Sequence, residues 1–193
     1  MVYSSLLVAL LAGTYTVVVG GARYLRLAEA SETASQQAIA AIKKASFELE
    51  PASQASLEVQ PPPPPPGPQT HVTFLSPHPA DGVAPGPPFD PSGRQMYYRK
   101  WVSMFLDGTE LVKVEDAYAA PGVTDPSSDP IPDFATEVLT WPRRKPLANH
   151  IINLSFTNAA PAVVRIDLTT SVVTGTARTT EIQLASSVRL LNQ

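Results

Sequence analysis

The chain has 193 residues, 44% of them hydrophobic and 16% charged, with 21 prolines and no cysteine. That length suits one domain of ordinary size with an appendage, and a net charge of -3 speaks against general nucleic-acid binding, which needs a basic face. Without cysteine there is no disulfide, thiolate zinc site, iron–sulfur cluster or cysteine nucleophile.

Composition is uneven along the chain, and the N-terminus is its most distinctive part. Val2 to Ala22 carries no charge. As a helix it would rise about 31 Å, close to the ~30 Å hydrocarbon thickness of a bilayer. A secretory signal would have a basic start and a shorter apolar region of roughly 7–15 residues. Here the basic residues, Arg23 and Arg26, follow the run instead. A membrane-spanning helix is expected.

From Arg23 to Glu50 there is no proline or glycine, and good helix formers dominate. Leu27, Ala30, Ala34, Ala38, Ala41, Ala45 and Leu49 recur at three- and four-residue spacing, forming one apolar stripe. Its alanines favour close approach to a packed surface. Glu29, Glu32, Lys43, Lys44 and Glu48 lie off the stripe and are expected on a solvated face. Residues 1–50 thus form one helix stopped by Pro51, with bending or partial melting expected around Gly13, Gly20 and Gly21. The residues expected to serve helix packing and assembly are Leu6, Leu7, Leu10, Leu11, Val17 and Val18 in the apolar half. Ala34, Ala38, Ala41 and Ala45 extend that list into the stripe.

Residues 51–69 contain six consecutive prolines, Pro61 to Pro66, and are expected to form a polyproline II linker or surface loop. Residues 70–193 are expected to be an antiparallel β domain. Thr70 to Ser76 alternates as a strand, with Val72 and Phe74 apolar. Tyr97 to Leu106 and Glu110 to Val114 flank an Asp107-Gly108 turn, the clearest hairpin signal. Short β-rich runs follow at Ile151 to Phe156, Ala162 to Leu168, Ser171 to Val173 and Thr180 to Leu190. In the second of these, Ile166 and Leu168 face one side and Arg165 and Asp167 the other, as in a sheet with one wet face. The fold class is therefore α+β, a long helix whose apolar half protrudes and whose other half packs on an antiparallel sheet.

Chemistry is sparse. His71, His78 and His150 share no ligand spacing, so His71 and His78 are expected to be solvated and His150 to mark a strand entrance. Asp125, Asp129 and Asp133 offer oxygens of the kind calcium takes, but their spacing matches no calcium loop. Arg143, Arg144 and Lys145, between Pro142 and Pro146, are expected to form a solvated basic turn, with contact to an acidic partner as the sharper alternative. Asn153-Leu154-Ser155 is a formal glycosylation sequon of weak predictive value. Neither nucleophile motifs nor phosphate loops occur. The chain is expected to be no enzyme and to take no cofactor or metal.

A one-span apolar N-terminus continuous with an alanine-rich helix, followed by an antiparallel β domain, resembles the type IV pilin superfamily, which includes the type II secretion pseudopilins. The likeness is to minor subunits with a J-type or W-type pilin domain. It rests on AIAAIKKASFELEPAS at the helix end, THVTFLSP as a strand, WVSMFLDGTELVKVE as a hairpin and ASSVRLLN as the closing strand. It implies a structural subunit of a pilus or secretion filament, held first in the bacterial inner membrane and partnered by other pilin subunits. Family members have a short basic leader ending in glycine and a glutamate five residues into the mature chain. Ser5 stands at that place, so charge pairing with a neighbour's amino terminus is not carried over. The mature chain is expected to start at or near Met1, or the chain to be an atypical member. A leader would also supply the cytoplasmic charge that Arg23 and Arg26, beyond the span, do not. The alternative expectation is a single-pass, membrane-anchored accessory or binding subunit of an envelope complex.

Overall fold

The computed structural model describes residues 2–60, 70–80, 82–84, 86, 89, 93, 95–118, 122–174 and 178–191. Helix α1 spans Val2–Leu49, a rod of about 72 Å at 1.5 Å per residue. It runs without interruption through Gly13, Gly20 and Gly21, so the expected melting does not occur. Here the threonines bond inside the helix rather than break it. The Thr14 hydroxyl donates to the Leu10 and Leu11 carbonyls, and that of Thr16 to Ala12. Such bonds to the preceding turn occupy the polar group where no other partner is at hand.

After Pro51 a short 3₁₀ turn, Gln54–Ser56, leads into strand β1, Glu58–Gln60. The first residues of the expected linker are therefore part of the domain, while the proline run itself lies outside the described residues. Strands β2 (His71–Ser76), β3 (Lys100–Asp107), β4 (Glu110–Ala117) and β5 (Arg143–Ala148) complete a five-stranded antiparallel meander in the order β1-β2-β3-β4-β5. The β3–β4 turn sits one residue later than the sequence suggests. Asp107 opposite Glu110 closes the ladder, and Gly108, at φ 60°, takes the first central position, where a type II′ turn requires glycine. A second sheet has the order β6-β7-β8, formed by Ile151–Ala160, Val163–Thr174 and Arg178–Arg189. Strand β7 joins two runs that read as separate in the sequence.

The alanine stripe explains how helix and sheets meet. Ala30, Ala34, Ala38, Ala41, Ala45 and Leu49 are all buried, and small side chains let the helix axis approach both sheets. The core they share contains Val72, Phe74, Val102 and Met104 from the first sheet and Leu154, Phe156, Ile166 and Leu168 from the second. Ile166 and Leu168 are buried while Arg165 is exposed and chelates Asp167 through 2.9 Å contacts, as the alternation predicts. The opposite face of the first sheet is also covered. Phe134, Val138 and Trp141, from the segment between β4 and β5, lie over Phe105, Val112 and Val114. Every residue of β2 is consequently buried.

Candidate functional site

Two regions of the helix differ sharply in what surrounds them. Of the residues expected to serve assembly, Ala34, Ala38, Ala41 and Ala45 pack inside the chain, against its own sheets. Leu6, Leu7, Leu10, Leu11, Val17 and Val18 touch nothing comparable, with Val17 74% and Leu6 67% exposed. Tyr3, Tyr15, Tyr24 and Leu25 are exposed as well. The exposure extends around the whole circumference of the helix, the pattern of a segment made for an apolar surrounding rather than for one groove. This stretch is long and apolar enough to cross a membrane.

Where α1 enters the domain, its last turns carry a buried ionic cluster that the sequence does not announce. Glu48, expected in solvent, is buried with Lys100, Lys113 and Glu115. The Lys113 Nζ donates to Glu48 Oε1 at 2.9 Å and lies 3.1 Å from Glu115 Oε2. Lys100 Nζ donates to Glu115 Oε2 at 2.7 Å and to Glu48 Oε1 at 3.3 Å. The second Glu48 oxygen accepts from the Ser76 hydroxyl at 3.3 Å. The β3 and β4 positions follow from strand alternation: Lys100 shares a face with Val102 and Met104, and Lys113 and Glu115 share theirs with Leu111. Two cations and two anions compensate one another where a lone charge would be costly. Burial alone would lower the Lys113 pKa, but its bonds to Glu48 and the field of Glu115 outweigh that and raise it. Held protonated, Lys113 is a poor base and a poor nucleophile. It works as a clamp between helix and sheet.

The basic run Arg143 to Lys145 is an edge strand, not a turn. Its registry opposite Lys113, Val114 and Glu115 brings it to a cavity of about 320 Å³ lined by Lys113, Glu115, Pro142, Arg143, Arg144 and Lys145. Arg144 pairs with Asp107 and lies 5.8 Å from the centroid of the Phe105 ring.

The histidines part company. His71 is buried, contrary to expectation, because the segment before β5 folds over it and stacks Phe134 on its ring at 3.9 Å. Its Nδ1 has no hydrogen-bond partner among the described residues, and burial lowers its pKa despite the opposing fields of Glu58 and Asp133. His78 is half-buried rather than solvated, stacked on Phe47 at 4.5 Å. His150 is exposed at φ 63°, immediately before β6, as a strand entrance should be.

The three loop aspartates serve three separate local partners. Asp125 accepts from the backbone and hydroxyl of Ser127 at 3.0 and 2.7 Å, and Asp133 from those of Thr136 at 2.9 and 2.8 Å. These bonds hold both carboxyls below their ordinary pKa. Asp129 accepts from the Tyr118 hydroxyl, whose pKa is pushed far up by burial and by that carboxylate. Among the described residues no three histidine or carboxylate groups converge as a metal site would need.

No protein-family profile, curated protein or solved structure matches this chain. The architecture, an apolar N-terminal helix leading into an antiparallel domain, is compatible with a pilin-like fold.

Proposed function

We propose that the chain is a structural, non-enzymatic subunit of a type IV pilus or of a pilus-like type II secretion filament, in a minor role. The observation that carries this reading is the division of one uninterrupted helix. From Ala30 onward its stripe is buried in the chain's own domain, whereas from Leu6 to Leu25 its apolar side chains are uncovered. Such a surface is satisfied by lipid or by like helices, and apolar burial favours either over water. In this reading the span holds the subunit in the inner membrane before assembly. The same surface then packs among the helices of other pilin subunits in a filament core, with the β domain facing outward.

A simple anchor would use the same exposed surface, and an exchange of the span separates the two. An anchor needs only about 20 apolar residues of almost any kind, whereas a packed filament core requires particular shapes. Replacing residues 2–22 by an unrelated apolar span of equal length should preserve membrane insertion. It should abolish incorporation into sheared surface filaments or the activity of the parent machine. Incorporation and activity at native levels would establish the anchored accessory subunit instead.

A further inference from the structure

We propose that the sheet end formed by Val173 of β7 and the Thr174–Arg178 pair rests on the lipid headgroup surface through which α1 passes, giving the domain a second, extramembranous contact with the bilayer. This inference rests on the membrane-held state of the reading above. It follows from the way helix and sheet are laid alongside each other.

Two hydrogen bonds fix that alignment. The Thr170 hydroxyl donates to the Ala34 carbonyl at 3.1 Å, and the Leu191 N–H donates to the Glu50 carbonyl at 2.9 Å. Thr170 pairs with Ile182 across the second sheet. Strand β8 therefore runs alongside α1 in the same direction, and the sheet end at the Thr174–Arg178 pair lies toward the apolar half of the helix. From Ala34 to Glu50 the helix rises about 24 Å, while extended chain from Ile182 to Leu191 covers about 30 Å. The strand is thus tilted on the helix, and about four-fifths of its rise projects along the helix axis.

The bilayer edge can be placed independently. Tyr3 and Tyr24 are both strongly exposed and lie about 31 Å apart along the helix, one hydrocarbon thickness. Tyrosine at each end of an apolar span is the signature of the two membrane interfaces. Arg23 and Arg26, also exposed, flank Tyr24 where cations meet phosphate oxygens.

Ala34 is about 15 Å beyond Tyr24 along the axis. From Thr170, β7 returns toward the membrane by about 8 Å at Val173 and about 11 Å at the Thr174–Arg178 rung. That rung therefore lies about 4 Å beyond Tyr24, within the headgroup layer of about 5–7 Å. Val173 lies just outside it and is 70% exposed, an apolar side chain at the level where one can enter the interface. His150, whose carbonyl accepts from the Ser171 N–H at 2.7 Å, belongs to the same rim and is exposed.

Because the chain has no cysteine, single cysteines can carry an environment-sensitive fluorophore at chosen depths. Full-length Val173→Cys, Leu191→Cys and Leu11→Cys proteins would each be labelled and reconstituted in vesicles of phosphatidylethanolamine and phosphatidylglycerol. Lipids spin-labelled on the headgroup or on the acyl chain would serve as quenchers. The Leu11 probe should lose fluorescence to acyl-chain quenchers, the Val173 probe to headgroup quenchers, and the distal Leu191 probe to neither. A Leu11 probe within the acyl chains with an unquenched Val173 probe overturns the sheet-end contact and leaves the span intact. Equal quenching at Val173 and Leu191 also overturns it, since the domain would then lie on its side. A Leu11 probe untouched by acyl-chain quenchers overturns the membrane-held state itself, and the sheet-end contact with it.

Discussion

Glu48, in the last turn of α1, and Lys113, in the middle of β4, are distant in sequence yet meet at 2.9 Å in the interior. Their contact ties the end of the protruding helix to the first sheet at a point where both side chains are largely withdrawn from water. Glu48→Gln should therefore destabilise the protein by about 3–5 kcal/mol, because Lys100 and Lys113 would be left with one anion between them. Urea titration of the full chain in detergent would measure this. A loss below about 1 kcal/mol, the scale of a surface pair, would show that the cluster is solvated in solution.

Ala34 and Ala38 are fully buried beneath the sheets. Ala34→Glu and Ala38→Glu would each force a carboxylate into the core without a partner. Both variants should melt well below the wild type, and well below Ala38→Ser, which adds only a small hydroxyl. Unchanged melting temperatures in both glutamate variants would mean that this stripe faces elsewhere.

Gly122 has φ 104°, and a methyl group there would collide with the Tyr98 backbone carbonyl. The neighbouring Val123 exchanges backbone hydrogen bonds of 2.7 and 2.9 Å with Tyr98, so the two segments have no freedom to separate. Gly122→Ala should cost about 1–3 kcal/mol from strain at a glycine-only conformation. Gly82→Ala makes the comparison, since Gly82 also has a positive φ, 79°, but open space around it. The Gly122 variant should be the less stable of the two by chemical denaturation.

His71 gives the domain a pH dependence of definite sign. Burial lowers its pKa below the ordinary 6.5, so the unfolded chain takes up a proton at a higher pH than the folded one. Stability contributed by the neutral ring is present above that ordinary value. It is lost as pH falls through it toward the folded value. The melting temperature should drop between about pH 7.5 and pH 5.5, in the window where an unfolded histidine titrates. His71→Phe, which keeps an aromatic ring against Phe134, should reduce that drop. An identical drop in the variant would assign the dependence to other groups.

Much of this architecture was legible because its elements obey simple periods. The alanine stripe and the uncharged span each carried one unambiguous pattern and are buried or exposed accordingly, and the 70–76 run is a strand as its alternation predicts, though both of its faces are covered. The failures share a physical cause. Glu48 looked solvated because it lies off the alanine stripe. The structure instead buries it against Lys100 and Lys113, partners on β3 and β4 that no local pattern reveals. Likewise, His71 looked solvated because its cover, Phe134, comes from a loop far along the chain. Arg143 to Lys145 looked like a turn because two prolines bracket it, yet β4 supplies a partner that no local signal reveals. Charges that find partners only through tertiary folding are where local patterns mislead.

Strand β5 closes the first sheet at an edge, and every open edge is a template on which a foreign strand can add. Its sequence is three basic residues followed by Pro146. Cations on the border repel a second copy of themselves, and proline withholds an N–H that an incoming strand would need. Strand addition is therefore disfavoured at this border of the first sheet.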